Sequence, residues 1–439
     1  MLLILLTGTI VLLLSSLSNA RMQNARDKVT SDALAQAKEA LLAYASAMVL
    51  TPVGSKRPGN LPCPDTNNDG IAESVCGNAA GSTGQALRLG RLPWKTLGLP
   101  DLRDSSGERL WYAVSSNFKN STPITILNSD TLGSITVRDT SDNILNNGCA
   151  AYSLPNCPNP SASDAAFGTG AVAVIIAPGE ALTRITTAQD RSASGINTAS
   201  NYLDIATVNG AVQDNQNFTD FSALDGFIQG NIKDSNGNWL INDQLLVITQ
   251  DQLMAPVQKR VAAELKQCLH EYATASASFN RYPWAAKLNP ASPVNYNDSV
   301  GTLFGRIPDN PFTATSSTSN NLVNDTWMGN CNINSNSGWW LNWKKIVFYG
   351  LADAYKPLAV PSTPTECGTC LSASAATGKK FVVIVAGKKL TGQPRSSNAD
   401  KGTPGNYLEG GNQNADQSGG YAYTQNTFAS SFNDTIASE

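Results

Sequence analysis

"LWYAVSS", residues 110 to 116, is an aromatic run entered through a turn at Gly107, and it returns as "VFYGLAD" at residues 347 to 353. Short apolar, aromatic and β-branched runs bounded by Gly, Ser and Asp read as strands. A strand that recurs points to a unit that recurs. Four further matches stand in the same order along the chain. Lys38, Leu41, Tyr44 and Ala45 match Lys266, Leu269, Tyr272 and Ala273, and "GRLP" (90–93) matches "GRIP" (305–308). "VIIAPG" (174–179) answers "VIVAGK" (383–388), and "NYLD" (201–204) answers "NYLE" (406–409). The reading is a tandem duplication. Each copy holds a helix, a long Pro/Gly/Asn loop, an aromatic strand, a disulfide-tied loop, an apolar strand and a polar final stretch. "LINDQLLVITQD" (240–251) closes the first copy, and a helix from about Met254 to Ser276 opens the second.

A length of 439 residues suits two domains better than one. Charged residues make up 15% of the chain and the net charge is -3, so no broad basic face exists to neutralise phosphates. Nucleic acid is excluded as a main partner. The abundance of Asn, Ser, Thr and Gly, with 22 prolines punctuating short apolar runs, predicts loop-rich α+β structure.

The eight cysteines form an even set, mostly in loops, which predicts disulfides and an oxidising compartment. Cys63/Cys76, Cys149/Cys157 and Cys367/Cys370 are near neighbours, and elimination leaves Cys268 with Cys331; spacing alone does not fix this connectivity. "CGTC" (367–370) has the form of a redox motif, but no thioredoxin-like βαβ pattern surrounds it.

"LLILLTGTIVLLLSSLS" (2–18) is uncharged and apolar, near the short end of what a bilayer-spanning helix needs. Ser18-Asn19-Ala20 also fits a signal-peptidase site. Against a removed signal peptide stand the missing basic flank and a helical pattern that runs on, with Leu34, Ala37, Leu41, Tyr44 and Met48 spaced by three and four. One long helix, apolar and then amphipathic, is expected.

A hydrophobic amino-terminal helix that turns amphipathic, then a loop, then a small antiparallel sheet resembles the layout of type IV pilins and type II secretion pseudopilins. The residues that carry the resemblance are the helix through Tyr44, and Asp104-x-x-Gly107 with Leu110 and Tyr112, similar to the D-x-W-G-x-x-x-x-Y turn and strand of pseudopilins; Ser106 replaces the Trp. The resemblance covers about the first 120 residues and reaches the second half only through the repeat. Two features depart from it. No Gly-Phe-Thr-Leu-x-Glu processing signal is present, and Leu5 stands where major pilins place a Glu.

The resemblance implies an α+β fold with a transmembrane or filament-core segment (1–20) and two tandem pilin-like domains (21–252 and 253–439). It implies a non-catalytic minor subunit whose partners are other pilin or pseudopilin subunits and the assembly machinery. Residues 2–18 would sit in the cytoplasmic membrane of a bacterium, with the heads in the periplasm or outside. The alternative from another class is an anchored or secreted carbohydrate-binding adhesin.

Three sites are singled out. "DTNNDGIAE" (65–73) offers Asp65, Asn67, Asp69 and Glu73 around Gly70, the first part of an oxygen-rich calcium loop, with Cys76 where the closing Glu would stand. A plain Asx-turn loop is the competing reading. "GWWLNWKK" (338–345) places Trp339, Trp340 and Trp343 together as a candidate sugar or partner patch. Read as a strand, Trp339 and Trp343 share one face and Trp340 takes the other; a core role is the alternative. The single histidine, His270, falls inside the second helix without a nucleophile-elbow motif; Ser-His-Asp and Cys-His chemistry would both depend on it, and a helix-surface or packing role is expected.

Overall fold

The structure, a computed structural model, describes residues 20–47, 57–77, 87–120, 126–149, 157, 168–183, 189–192, 196–208, 210–275, 278–288, 296–309, 311, 327, 331, 333, 338–358, 362–364, 367, 370–413 and 422–439, with backbone alone for 2–19, 208, 211 and 213. It is a mixed α+β fold with several antiparallel sheets. Two compact units result. The first comprises Met1–Tyr44, Leu61–Pro123 and Leu132–Thr249; the second comprises Ala45–Asn60, Ile124–Thr131 and Gln250–Glu439. The expected division at 252/253 does not foresee that 45–60 and 124–131 belong with the second unit.

Helix α1 (Leu2–Ala47) is continuous, and its residues through Tyr44 belong to the first unit. Its buried residues Thr30, Ala33, Leu34, Ala37 and Leu41 form the three-and-four spacing of a single stripe, while Tyr44 is half-buried. The sheet is an antiparallel meander of β1 (Leu89–Arg91), β2 (Trp111–Val114), β3 (Ala173–Ala177) and β4 (Gln244–Ile248), paired in that order. Residues of β2 and β3 are buried without exception, because both faces of the sheet are covered. One face carries Trp111, Ala113, Val174 and Ile176 into a core with Tyr202, Leu203, Phe218 and Phe227. The alternate residue Tyr112 takes the other face, where Tyr44 of α1 is its neighbour. Smaller pieces include a parallel pairing of Val137–Asp139 with Phe227–Gln229, an exception to the all-antiparallel expectation. "DSNGNW" forms the tight turn its Asn-Gly predicts: Asp234 accepts from the backbone N–H of Asn236 and Asn238, and Gly237 has φ 84°.

The second unit repeats the plan. Helix α2 (Gln250–Thr274) starts four residues before the expected Met254, with Asp251 in its first turn, where a negative charge suits the helix dipole. Its buried Gln258, Val261, Ala262, Leu265 and Leu269 match, position for position, the buried stripe of α1. The sheet runs β5 (Phe304–Gly305), α3 (Trp340–Trp343) intervening, then β6 (Val347–Leu351), β7 (Phe381–Val385) and β8 (Thr435–Ser438). α2 packs on β7 and β8. The last strand, β8, is the counterpart of β4 and was not among the sequence matches.

The same hydrogen bonds recur inside each unit. Asp65 and Arg91 exchange two N–H···O=C bonds, as Ala286 and Arg306 do; Tyr112 donates its hydroxyl to the Pro62 carbonyl, as Tyr349 does to Pro283. One expected match needs correction. Ile175 lies opposite Tyr112 and Val383 opposite Tyr349, so "VIIAPG" corresponds to residues 382–387 and not 383–388. A slip of one residue would have turned every side chain to the wrong face.

Gly90 and Gly305 show why these glycines recur. A Cβ on Gly90 would stand 2.7 Å from the Asp65 carbonyl oxygen, and one on Gly305 1.9 Å from that of Ala286. Gly90→Ala is therefore expected to push the Asp65 segment off β1 and destabilise the first unit by about 1–3 kcal/mol, read by urea denaturation. A neutral result would mean the two backbones are not held together.

All four disulfides are present: Cys63–Cys76, Cys149–Cys157, Cys268–Cys331 and Cys367–Cys370. Among the described residues no helix is long and apolar enough to cross a membrane. The expected membrane segment at 2–18 lies outside the residues whose side chains are described.

Candidate functional site

The loop after Cys63 is organised by one carboxylate. Asp65 Oδ1 accepts from the N–H groups of Asn67, Asn68 and Asp69 at 3.2, 2.6 and 3.3 Å, and Oδ2 from that of Gly70 at 2.7 Å. Asn67 caps the Asp69 N–H, Asp69 caps the Ile71 N–H, and Glu73 accepts from Thr66 through both its N–H and its hydroxyl. Positive backbone φ at Asn68 (66°) and Gly70 (85°) lets the chain wrap around the carboxylate. Burial raises the Asp65 pKa, and the N–H donors oppose it. Lys95 reaches the Asp69 carbonyl, and Arg109 binds both the carbonyl and the side chain of Asn68.

The geometry is that of a self-capped Asx loop, with two cationic side chains already at its carbonyls. Calcium needs six to eight oxygens turned inward. Among the described residues no group of three or more His, Cys, Asp or Glu could hold a metal ion, so the calcium reading finds no support in this geometry.

The tryptophan patch is corrected outright. Trp339, Trp340 and Trp343 are each 0% exposed. The segment forms the short helix α3, not a strand, so Trp340 and Trp343 fall three residues apart on one face, and Leu341 is the residue turned to solvent. Beneath them lies a buried ion pair. Asp309 accepts from Lys344 Nζ (3.0 Å), Trp340 Nε1 (2.7 Å) and the Tyr296 N–H (2.8 Å), and both charged side chains are sealed from solvent. A sugar or partner surface cannot rest on these three rings. His270 is half-exposed and meets a Glu439 carboxylate oxygen at 2.9 Å. That contact includes no nucleophile.

The most elaborate polar arrangement was not singled out from the sequence, and it occurs twice. In the first unit Arg191 donates to the carbonyls of Gly179, Asn201 and Tyr202 and to Gln189 Oε1; in the second, Arg395 donates to Gly387, Asn406, Tyr407 and Gln393 Oε1. Gln189 in turn donates to Asp204, and Gln393 to Glu409. A second acid closes each knot. Asp243 Oδ2 accepts from the Asp204 N–H and Asn215 Nδ2 at 2.8 and 3.0 Å; Asp434 Oδ2 accepts from the Glu409 N–H and Asn412 Nδ2, both at 2.9 Å. Burial first, and then the neighbouring acid, pushes the Asp243 and Asp434 carboxyls well above the ordinary range. The missed signal is Gln-x-Arg-Ser at 189–192 and 393–396, ahead of each Asn-Tyr-Leu-acid word. These knots clamp the word to the entry of the last strand; they present no reactive group.

A pocket of about 390 Å³ opens in the first unit between the start of the Asp65 loop, β1, Trp111 and the Asn197–Ala199 turn. Arg91 lines it, 4% exposed, with its guanidinium 4.5 Å from the centre of the Trp111 ring and 3.9 Å from that of Tyr202. Arg91 donates to the carbonyls of Arg109 and Ile196. Among the described residues neither its Nε–H nor the Trp111 Nε1–H has an acceptor. Burial pulls the Arg91 pKa down to about 10, which leaves the guanidinium charged at neutral pH. No protein-family model, curated protein or solved structure matches this chain.

Proposed function

We propose that the chain is a non-catalytic, pilin-like minor subunit of a type IV pilus or type II secretion-type filament, with two heads that arose by tandem duplication. The observation that carries the reading is α1, a helix that runs unbroken from Leu2 to Ala47 and buries a stripe of its own head, a unit with a four-stranded antiparallel sheet. Helix continuity couples an apolar segment to a folded head, which is what a filament subunit needs: the apolar part sits in the membrane before assembly and in the filament core afterwards. Asp104 supports the same reading. It accepts from the N–H groups of Ser106 and Glu108 in the turn before the aromatic strand, and Ser105 donates to Thr30 on α1. Disulfides suit heads that face the periplasm or the exterior. Other filament subunits and the assembly machinery are the partners this role implies.

The test is amino-terminal sequencing and intact mass of the protein from its native membranes, with filament assembly scored in a deletion strain. A mature chain that keeps the apolar run, and loss of filaments on deletion, is the expected result. A mature chain that begins at Arg21 would remove the filament helix and overturn the reading.

A further inference from the structure

We propose that the edge of β1 in the first unit takes up an extended segment of another polypeptide chain as an added antiparallel strand, seated opposite Leu89 in the pocket beside that edge. Along an antiparallel ladder every second residue turns its N–H and C=O toward the neighbour and the others turn away. Arg88, Gly90 and Leu92 face β2: the Val114 N–H reaches the Arg88 carbonyl, the Leu92 N–H reaches the Leu110 carbonyl, and Gly90 lies opposite Tyr112 between them. Leu89 and Arg91 therefore point outward. Arg91 marks the direction, because on that side its N–H and C=O exchange two bonds with Asp65. Among the described residues the outward N–H and C=O of Leu89 have no such partner. In the register of the Asp65 pairing, the residue opposite Leu89 would be Asn67. Asn67 instead turns into the Asx loop, where its N–H goes to Asp65 Oδ1 and its side chain caps the Asp69 N–H. The pocket of about 390 Å³ lies where the strand through Asp65 would have continued, and Asp65, Thr66, Leu89 and Gly90 line that side of it.

The wall of this pocket selects its occupant. An unmet N–H and C=O on one edge residue are matched together by the C=O and N–H of one residue in an extended chain, which is recognition by strand addition. The lining offers no free charge. The Asp65 carboxylate receives four N–H groups of its own loop, and the Arg91 guanidinium is buried against Trp111 and Tyr202 and donates to two backbone carbonyls. The side chain that enters lies on the same face as that of Leu89, near Trp111 and Ala199, so an uncharged apolar residue fits. Leu87, an exposed lining residue, has φ 58° and ends the strand, which leaves Leu89 as the one position open to pairing. This pairing does not depend on the chain being a filament subunit.

The probe is acetyl-Ser-Thr-Val-Thr-Ser-amide, whose central Val takes the place opposite Leu89. Its twin is the same peptide N-methylated at Val, which loses the donor to the Leu89 carbonyl and keeps the side chain. Hydrogen exchange on the full chain follows both. In the free chain the Leu89 amide is expected to exchange about tenfold or more faster than that of Gly90, which β2 holds. The peptide should slow the Leu89 amide, and the methylated twin should bind about tenfold more weakly. Leu89→Pro removes the outward N–H and no bond to β2, at an edge position of the kind that admits proline, and should weaken the peptide by a similar factor. If that variant fails to fold, the methylated twin decides alone. A Leu89 amide already protected in the free chain, no slowing by the peptide, or equal binding of the twin overturns the proposal. Protection that needs no peptide and grows with protein concentration would assign the edge to a second copy of this chain and overturn the foreign strand.

Discussion

Lys344→Ala is expected to cost the second unit about 3–5 kcal/mol, because it leaves Asp309 charged and enclosed with only the Trp340 and Tyr296 N–H groups for compensation. Against a typical total of about 5–15 kcal/mol, that loss is enough to leave the unit partly unfolded at body temperature. The measurement must resolve the units, since a chain with two cores need not unfold in one step. Hydrogen exchange at the amides of β6 and β7 does so: protection should fall there and persist in β2 and β3. Replacing both partners, as Lys344→Met with Asp309→Leu, should recover most of the loss, because an ion pair in a dry core returns little beyond its own desolvation. Equal loss in the double variant would mean that the charges themselves hold α3 against the sheet.

The same residues show what a sequence can and cannot tell. The sequence leaves Trp339, Trp340 and Trp343 open between a binding patch and a core role; a helical turn of four residues brings two of them to one side, and Asp309, 31 residues away from Trp340, supplies the partner that makes burial tolerable. Periodicity in a four-residue window cannot distinguish those cases. Long, regular features were legible. The stripe on α1 and its match on α2, the aromatic strands with Tyr112 and Tyr349, and the three short-range disulfide pairs could be read because each rests on local spacing, while Cys268–Cys331, 63 residues apart, followed only by elimination. Features fixed by distant partners were not. The match of "VIIAPG" slipped by one residue because only the pairing with Tyr112 and Tyr349 fixes its register. Arg191 and Arg395 escaped notice because most of their partners are backbone carbonyls, which leave no mark on composition, and their carboxylate partners Glu108 and Asp130 lie far off in the sequence. Asp65 was legible as the organiser of its loop but not as an acceptor of four N–H groups, since the same spacing of oxygens serves a cation or a backbone turn.

The paired acids lead to the second large effect, a pH dependence whose sign is fixed by the direction of the shifts. Burial and the charge of Asp204 raise the Asp243 pKa in the folded chain, as burial and Glu409 raise that of Asp434. The unfolded chain releases these protons near pH 4, while the folded chain keeps them. Over the window from about pH 4 up to the raised folded values, the folded state binds more protons, so this contribution to stability falls as pH rises. Asp298, which burial pushes up to about 7 against a backbone hydrogen bond from its own residue, adds a slope of the same sign between pH 4 and 7 in the second unit. Comparing each variant with the parent cancels such background. Asp243→Asn keeps an oxygen for the Asp204 N–H and the Asn215 amide and cannot ionise. It should match the parent near pH 4 and gain on it steadily toward pH 8, with the gain confined to β2 and β3 amides in hydrogen exchange. Asp434→Asn should do the same for β6 and β7. A variant that loses ground as pH rises would mean that Asp243 is ionised in the fold and held by Arg191, whose positive charge opposes the rise; the knot would then be an ion pair and its stability would fade in acid. The two outcomes have opposite slopes, so one titration of stability against pH decides between a protonated clamp and a charged one.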